Sequence, residues 1–318
     1  MFKNLKLFGI AMLFALLAAA LVACGGDNNN DNNGNGDDEE KTAEDFGDDV
    51  DWTITGIDPG AGIMNNTETA IDEYGLDDWT LEESSESAML AELQTAYDNE
   101  EPIIIPGWKP HQMFEQFDLT MLEDPKEIYG GDGDEILAIG NKDFAETSPG
   151  AAKVIERFAE SYDTDVEQDL LVDINVEDED PEDVADDFLE ENDDLLEEWT
   201  EGVGDEYELG EEDVTLTYIA WAGALARTPL LAKVLEEAGY TVDQSQMEAG
   251  PAWQAVADDP SSVLTAAWLP ATHADYWDEY EDDVEELGTF VDKAPLALTV
   301  PDYVVEKYGI ESVEDLKK

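Results

Sequence analysis

The sequence predicts an α/β fold made of two similar lobes with a ligand cleft between them. Three observations carry that expectation. Short apolar runs alternate with helical patterns in a β-α-β-α-β order, and the order occurs twice. The two copies keep a nearly constant offset: Thr67 and Thr228 are 161 residues apart, and Trp108 and Trp268 are 160 apart. Each copy ends its third apolar run on a Trp-x-Pro step followed by a histidine, "PGWKPH" at 106–111 and "AAWLPATH" at 266–273, and these are the only two histidines in the chain.

In the first copy, "WTITGI" (52–57) reads as a strand, and "TETAIDEYG" (67–75) as a helix capped by Thr67 and stopped by Gly75. "WTLEESS" (79–85) is strand-like. "AMLAELQTAY" (88–97) puts Met89, Leu90, Leu93 and Tyr97 on one helical face, and "PIIIPGW" (102–108) is a continuous apolar run that suits a strand buried on both faces. In the second copy, "VTLTYIAW" (214–221) is a strand. Thr228-Pro229 opens a helix that stops at Gly239, with Pro229 at its first position. "YTVDQSQ" (240–246), "PAWQAVADD" (251–259) and "SVLTAAW" (262–268) follow as strand, helix and strand. Between the copies, residues 151–201 read as mainly helical. "PEDVADDFLEENDDLLEEW" forms one helix with Val184, Phe188, Leu195 and Trp199 on its apolar stripe, and Trp199 is a core anchor.

The 318 residues carry 82 acidic against 14 basic side chains, a formal net charge of −68. That excess makes nucleic acid and anionic membrane surfaces poor partners for the bulk of the chain, and it suits a solvated coat in a salty exterior. The acidic runs "DEDPED" (178–183) and "DGDE" (132–135) lack the ligand ladder of an EF-hand loop and read as surface.

At the N-terminus, Lys3 and Lys6 precede an apolar stretch from Leu7 to Val22, as in an export signal. "LVAC" (21–24) resembles a bacterial lipobox, which makes Cys24, the only cysteine, the expected lipidation site. The Gly/Asn/Asp-rich segment that follows is too polar to build a core. The expected organisation is a signal peptide at 1–23, a lipidated cysteine and disordered acidic tether at 24–50, a first lobe at 51–140 joined by the tail 301–318, and a second lobe at 141–300.

The strand ends collect "GIDPGAGIM" (56–64), "PGWKPHQ" (106–112), "YIAWAGALA" (218–226) and "AAWLPATH" (266–273). Ligands of open α/β sheets bind beyond these carboxyl ends. No carboxylate pair, Ser–His–Asp set or Cys–His pair gathers there, so neither catalysis nor a cofactor is expected. Two histidines without neighbouring Cys or ordered acids make a poor metal site. Three tryptophans suit a quaternary ammonium, which offers no N–H and is gripped through aromatic faces. The small-residue turn Gly60-Ala61-Gly62-Ile63 can present backbone N–H groups to an anion, and His273 can add another donor. The expected ligand is a zwitterion with a trimethylammonium end and a carboxylate end.

These motifs, in this order across nearly all of 51–318, resemble the extracellular glycine betaine-binding lipoproteins of osmoprotectant ABC importers. The resemblance implies a type II periplasmic-binding-protein fold, an ammonium cage of Trp108, Trp221 and Trp268, and a carboxylate held by the amides of Gly62 and Ile63 and by the side chain of His273. It also implies a permease partner, an extracytoplasmic location on the outer face of the membrane, and a C-terminal tail that hooks back onto the first lobe. The rim departs from the family: Gln112 stands where a second aromatic is common, and "AGALART" follows Trp221 where polar residues are commoner. Glycine betaine, proline betaine, carnitine, choline and sulfonium analogues all remain open as solutes. His111 has no ligand role in the family and reads as a loop residue capping local backbone. A two-histidine hydrolase and an acidic, ion-buffering surface lipoprotein are the competing classes.

Overall fold

The computed structural model describes residues 41–177 and 179–318. The expected signal peptide, Cys24 and most of the expected tether lie outside the described residues. The last part of that tether is ordered. Helix α1 (Ala43–Asp49) starts on a reciprocal capping box between Thr42 and Asp45. Phe46 anchors it, fully buried between Trp79 and Tyr308 with ring centroids 5.8 and 5.3 Å away. Ala43 and Val50 also pack on the core, the Tyr308 hydroxyl donates to Asp49, and the Trp52 indole N–H donates to Asp48, so a segment with the composition of a linker is held at several points.

The first lobe continues with β1 (Thr53–Thr55), α2 (Gly62–Tyr74), β2 (Thr80–Glu82), α3 (Glu86–Asn99), β3 (Ile105–Trp108), the short α4 (Met113–Gln116) and β4 (Leu119–Met121). The chain then crosses to the second lobe: β5 (Asp134–Asn141), α5 (Phe144–Thr147), α6 (Pro149–Ser161), α7 (Thr164–Asn175), α8 (Pro181–Glu191), α9 (Asp193–Thr200), β6 (Asp213–Tyr218), α10 (Ala222–Glu237), β7 (Thr241–Gln246), α11 (Ala249–Asp258), β8 (Ser262–Leu269), α12 (Ala274–Tyr280) and β9 (Val284–Ala294). It returns through β10 (Leu296–Pro301) and α13 (Asp302–Tyr308) to a closing 3-10 turn at Val313–Leu316.

Both lobes use one strand order. In the second, the sheet runs β7-β6-β8-β5-β9, with β6 parallel to β7 and β8, and β5 antiparallel to β8 and β9. In the first, β2 pairs with β1 in parallel, and β10 lies antiparallel between β3 and β4. The Thr55 N–H donates to the Ile104 carbonyl at 3.0 Å, which sets the two-stranded sheet beside the three-stranded one in the order β2-β1-β3-β10-β4. The molecule is therefore two-lobed, and each lobe combines parallel and antiparallel strand pairs rather than a mainly parallel sheet.

Strand pairing moves the lobe boundaries from those expected at 140/141 and 300/301. β5 hydrogen-bonds to β8 and β9, so residues 134–140 belong to the second sheet, and β10 belongs to the first. Each crossing strand is an apolar run that would fit either sheet; partners, not composition, assign it. Two helices also start earlier than expected. α2 begins at Gly62 rather than Thr67, and α10 begins at Ala222 with Pro229 inside it rather than at its start. The run Ala222–Ala226 is rich in alanine, a strong helix former, and extends the helix back through the proline. The expected single helix over 181–199 is two, α8 and α9, broken at Asn192. Trp199 is nonetheless buried, packed on Phe158 at 4.9 Å, with its indole N–H donating to Ser161 Oγ at 2.6 Å.

α10 is fixed by the buried ion pair Arg227–Glu167, both side chains about 1 % exposed. Arg227 Nε also donates to the Thr265 carbonyl at 3.0 Å, and its guanidinium lies 4.9 Å from the Phe290 ring centroid. The tail packs on the first lobe: Val313 and Leu316 are buried, and the Trp79 indole N–H donates to the Leu316 carbonyl at 2.9 Å.

Among the described residues, Val176 is the one large apolar side chain that is exposed. With 82 acids in the chain, the surface repels itself. Screening length falls from about 30 Å at 0.01 M to about 3 Å at 1 M salt. Melting temperature is expected to rise steeply over that range; a calorimetric melt that ignores salt would contradict the self-repulsion.

Candidate functional site

Trp108 ends β3, Trp221 is the N-cap of α10, and Trp268 lies in the last turn of the pleat of β8, while Gly62 and Ile63 open α2. All five line one narrow slot between the lobes, with about 270 Å³ of empty space once its open mouth is included. Trp108, Gly62 and Ile63 come from the first lobe, and Trp221 and Trp268 from the second. Ile57, Thr272 and Leu296 help to close the slot, and no ionisable side chain lines it.

The second-lobe wall is a pinned loop. The Leu269–Pro270 bond is cis, as is Lys109–Pro110 at the matching place in the first lobe. The Trp268 N–H donates to His273 Nδ1 at 3.1 Å, and the His273 N–H donates back to the Trp268 carbonyl at 2.9 Å. Asp134, fully buried, accepts the Ala271 and Thr272 N–H groups at 2.7 and 2.9 Å. Because Nδ1 accepts, the ring proton of His273 sits on Nε2, and that buried nitrogen has no partner within the chain. Burial pushes the His273 pKa down to about 3, so the imidazole is neutral. The ring stacks on Trp221 with centroids 5.8 Å apart and planes 29° apart.

The first-lobe wall is the start of α2. Ala61 gives no side-chain cap, so the N–H groups of Gly62 and Ile63 keep the unmet donor capacity and partial positive charge of a helix start. Both residues line the slot, and Gly62 brings no Cβ to it. A Cβ built on Gly62 would lie 1.8 Å from the Thr272 carbonyl oxygen of the other lobe. His111 does not line the slot. Its Nδ1 accepts the Met113 N–H at 3.1 Å, capping local backbone, its Nε2 lies 3.2 Å from Glu86 Oε1, and its ring sets edge-on to Trp108 at 4.8 Å.

The slot offers aromatic faces and the start of a helix; the neutral His273 imidazole is fully buried against Trp221 and is not among the residues that line the slot. The slot offers no base beside a nucleophile, and no group of three His, Cys, Asp or Glu among the described residues could hold a metal ion. Two buried acids escape a sequence reading. Asp134 sits in "DGDE", read as surface, yet it holds the loop behind Thr272. Glu86 sits at a helix start, where only the preceding Ser85 hints at a cap. Both look like any other acid in so acidic a chain.

Two outcomes follow from this geometry. Gly62→Ala is expected to hold the lobes apart, seen as a larger radius of gyration in small-angle scattering under conditions where the wild type is closed. His273 takes a proton near 6.5 when unfolded and near 3 when folded. The unfolded state thus binds more protons between those values, and stability is lost as pH falls through them, by about 1.4 kcal/mol per pH unit. Denaturant titrations in molar salt at pH 6.5 and 5 are expected to show that extra slope in the wild type and not in His273→Gln.

The family described as the substrate binding domain of ABC-type glycine betaine transport systems matches residues 36–191 and 212–318. The chain is 38% identical over 276 residues to the glycine betaine/carnitine transport binding protein GbuC of Listeria monocytogenes serotype 1/2a (strain 10403S), covering 86% of this chain and 89% of that protein. A lactococcal OpuAC solved in a closed form with glycine betaine is 29% identical over 51% of this chain and 62% of its own, with a TM-score of 0.42. ProX from Borrelia burgdorferi is 29% identical over 50% of this chain and 60% of its own, with a TM-score of 0.39. The match thus spans about three-fifths of those two solved chains. By the family match and the GbuC identity, the chain belongs to the substrate-binding domains of ABC-type glycine betaine transport systems.

Proposed function

We propose that the chain captures glycine betaine, or a closely related quaternary ammonium zwitterion, in the tryptophan slot and delivers it to the permease of an ABC importer. The single observation behind this reading is that Trp108, Trp221 and Trp268, from both lobes, share one slot with the uncapped start of α2. In the proposed complex the three indole faces hold the ammonium. Gly62 N–H, Ile63 N–H and His273 Nε2–H hold the carboxylate. A desolvated cation–π contact contributes about 2 kcal/mol, and micromolar affinity needs about 8 kcal/mol, so the aromatic faces need the carboxylate anchor. A neutral His273 donates to that anchor without carrying a charge into the slot. The location that goes with this role is extracytoplasmic, with Cys24 as a lipid anchor to the outer face of the membrane. No helix among the described residues is long and apolar enough to cross a membrane.

Calorimetric titration at high salt with glycine betaine, carnitine, choline and a neutral tert-butyl analogue of betaine tests the reading. Betaine is expected to bind and the tert-butyl analogue to bind poorly. His273→Ala is expected to cost about 1–3 kcal/mol with betaine, the scale of a hydrogen bond to a charged group, and little with choline, which has no carboxylate. Equal binding of the neutral analogue would remove the cation–π basis. Equal losses for betaine and choline would remove His273 from the carboxylate.

A further inference from the structure

We propose that Glu86 is a closure latch, a positioning residue that sets Trp221 into the slot when the lobes meet. The inference rests on the solute-binding reading above and adds the group that couples lobe closure to that site. Glu86 is the first residue of α3, and Ser85 caps that helix by accepting the Ala88 N–H at 3.3 Å. Inside its own lobe the carboxylate is aimed by His111. Since His111 Nδ1 accepts the Met113 N–H, the ring proton is on Nε2, which donates to Glu86 Oε1 at 3.2 Å.

Across the cleft, the Ala222 N–H lies 3.3 Å from each oxygen of the same carboxylate. Ala222 is the first residue of α10 in the second lobe and directly follows Trp221. Trp221 brings no side-chain cap to its own helix. Glu86 supplies an anionic cap from the opposite lobe, at the positive end of a 16-residue helix. The contacts run in one line: Trp108 against His111, His111 to Glu86, Glu86 to Ala222, Ala222 bonded to Trp221. One tryptophan from each lobe is thereby tied to the other through a single carboxylate.

The carboxylate is nearly shut from solvent, its side chain 9% exposed. It borders an inter-lobe groove shared with Gln112 and Asn175, so parting the lobes hydrates it and frees the Ala222 N–H together. A solute that draws the tryptophan faces together and a carboxylate that caps α10 favour the same closed arrangement. Each strengthens the other because both bind only that state.

The test compares the full wild-type chain with Glu86→Gln, which keeps the shape and removes the charge, and with Glu86→Asp, which keeps the charge and is one methylene short. Two readouts are taken: dissociation of glycine betaine by stopped-flow tryptophan fluorescence, and the closed fraction by single-molecule distances between labels on the two lobes. Both variants are expected to release betaine about tenfold to hundredfold faster, the span for loss of one charge-assisted hydrogen bond. Association is expected to change little, and the closed fraction to fall. Unchanged release and closed fraction in Glu86→Gln overturn the latch, including when its unliganded melting temperature drops, since that marks a role confined to lobe stability. If the wild type binds no betaine, the solute reading fails by itself. The unliganded closed fraction then decides the latch: a lower value in Glu86→Gln supports it, and equal values overturn it.

Discussion

The closeness of the two lobes is set where backbone meets backbone, at Gly62 and Thr272. With no Cβ on Gly62, the start of α2 can approach the Thr272 carbonyl of the opposite lobe to a distance that any side chain would forbid. That approach brings the uncapped start of α2 to the same slot as Trp221 and Trp268. The rest of the second-lobe wall serves to hold Thr272 still: Asp134 accepts its N–H, and the Trp268–His273 pair closes the loop on either side. A looser loop would move the carbonyl and, with it, the width of the slot.

Charge is arranged in opposite ways inside and outside. Outside, acids crowd a surface with little to pair them. Inside, each buried carboxylate around the site is satisfied: Asp134 by two backbone N–H groups, Glu86 by Ala222 and His111, and Glu167 by Arg227. Buried charge is tolerated only on such terms. The slot itself is left without ionisable groups, so a cation there meets aromatic faces and no competing partner. The strong negative field of the chain as a whole favours cations near its clefts and disfavours simple anions.

Much of this was legible in the sequence because the site repeats a pattern. The two Trp-x-Pro steps, the tryptophan after "YIA" and the "GAGI" turn all stand at apolar run ends, where strand geometry places ligand residues, and all reach one slot. What could not be read was pairing across distance. β5 and β10 are apolar runs whose lobe is set only by their hydrogen-bond partners. Pro229 reads as a helix start because that is where proline costs least, yet the alanine-rich run before it carries α10 back seven residues, to an N–H that a glutamate of the other lobe accepts. Glu86 and Asp134 differ from their acidic neighbours only in what the fold puts beside them. Phe46, with Ala43, Val50 and Asp49 beside it, packs against the first lobe a segment that composition assigned to a linker.

The placement of β10 between β3 and β4 has a consequence for the order in which the molecule can be assembled. Strands of the second sheet are all contained in residues 134–294, an unbroken stretch. The first sheet lacks its inner strand until residues 296–301 are available. As a chain emerges from its N-terminus, the first lobe therefore waits, with β3 and β4 unjoined, until the second lobe has been completed behind it. The lobe that is written first is finished last, and a chain cut anywhere before β10 carries a complete second sheet at most and never a complete first one.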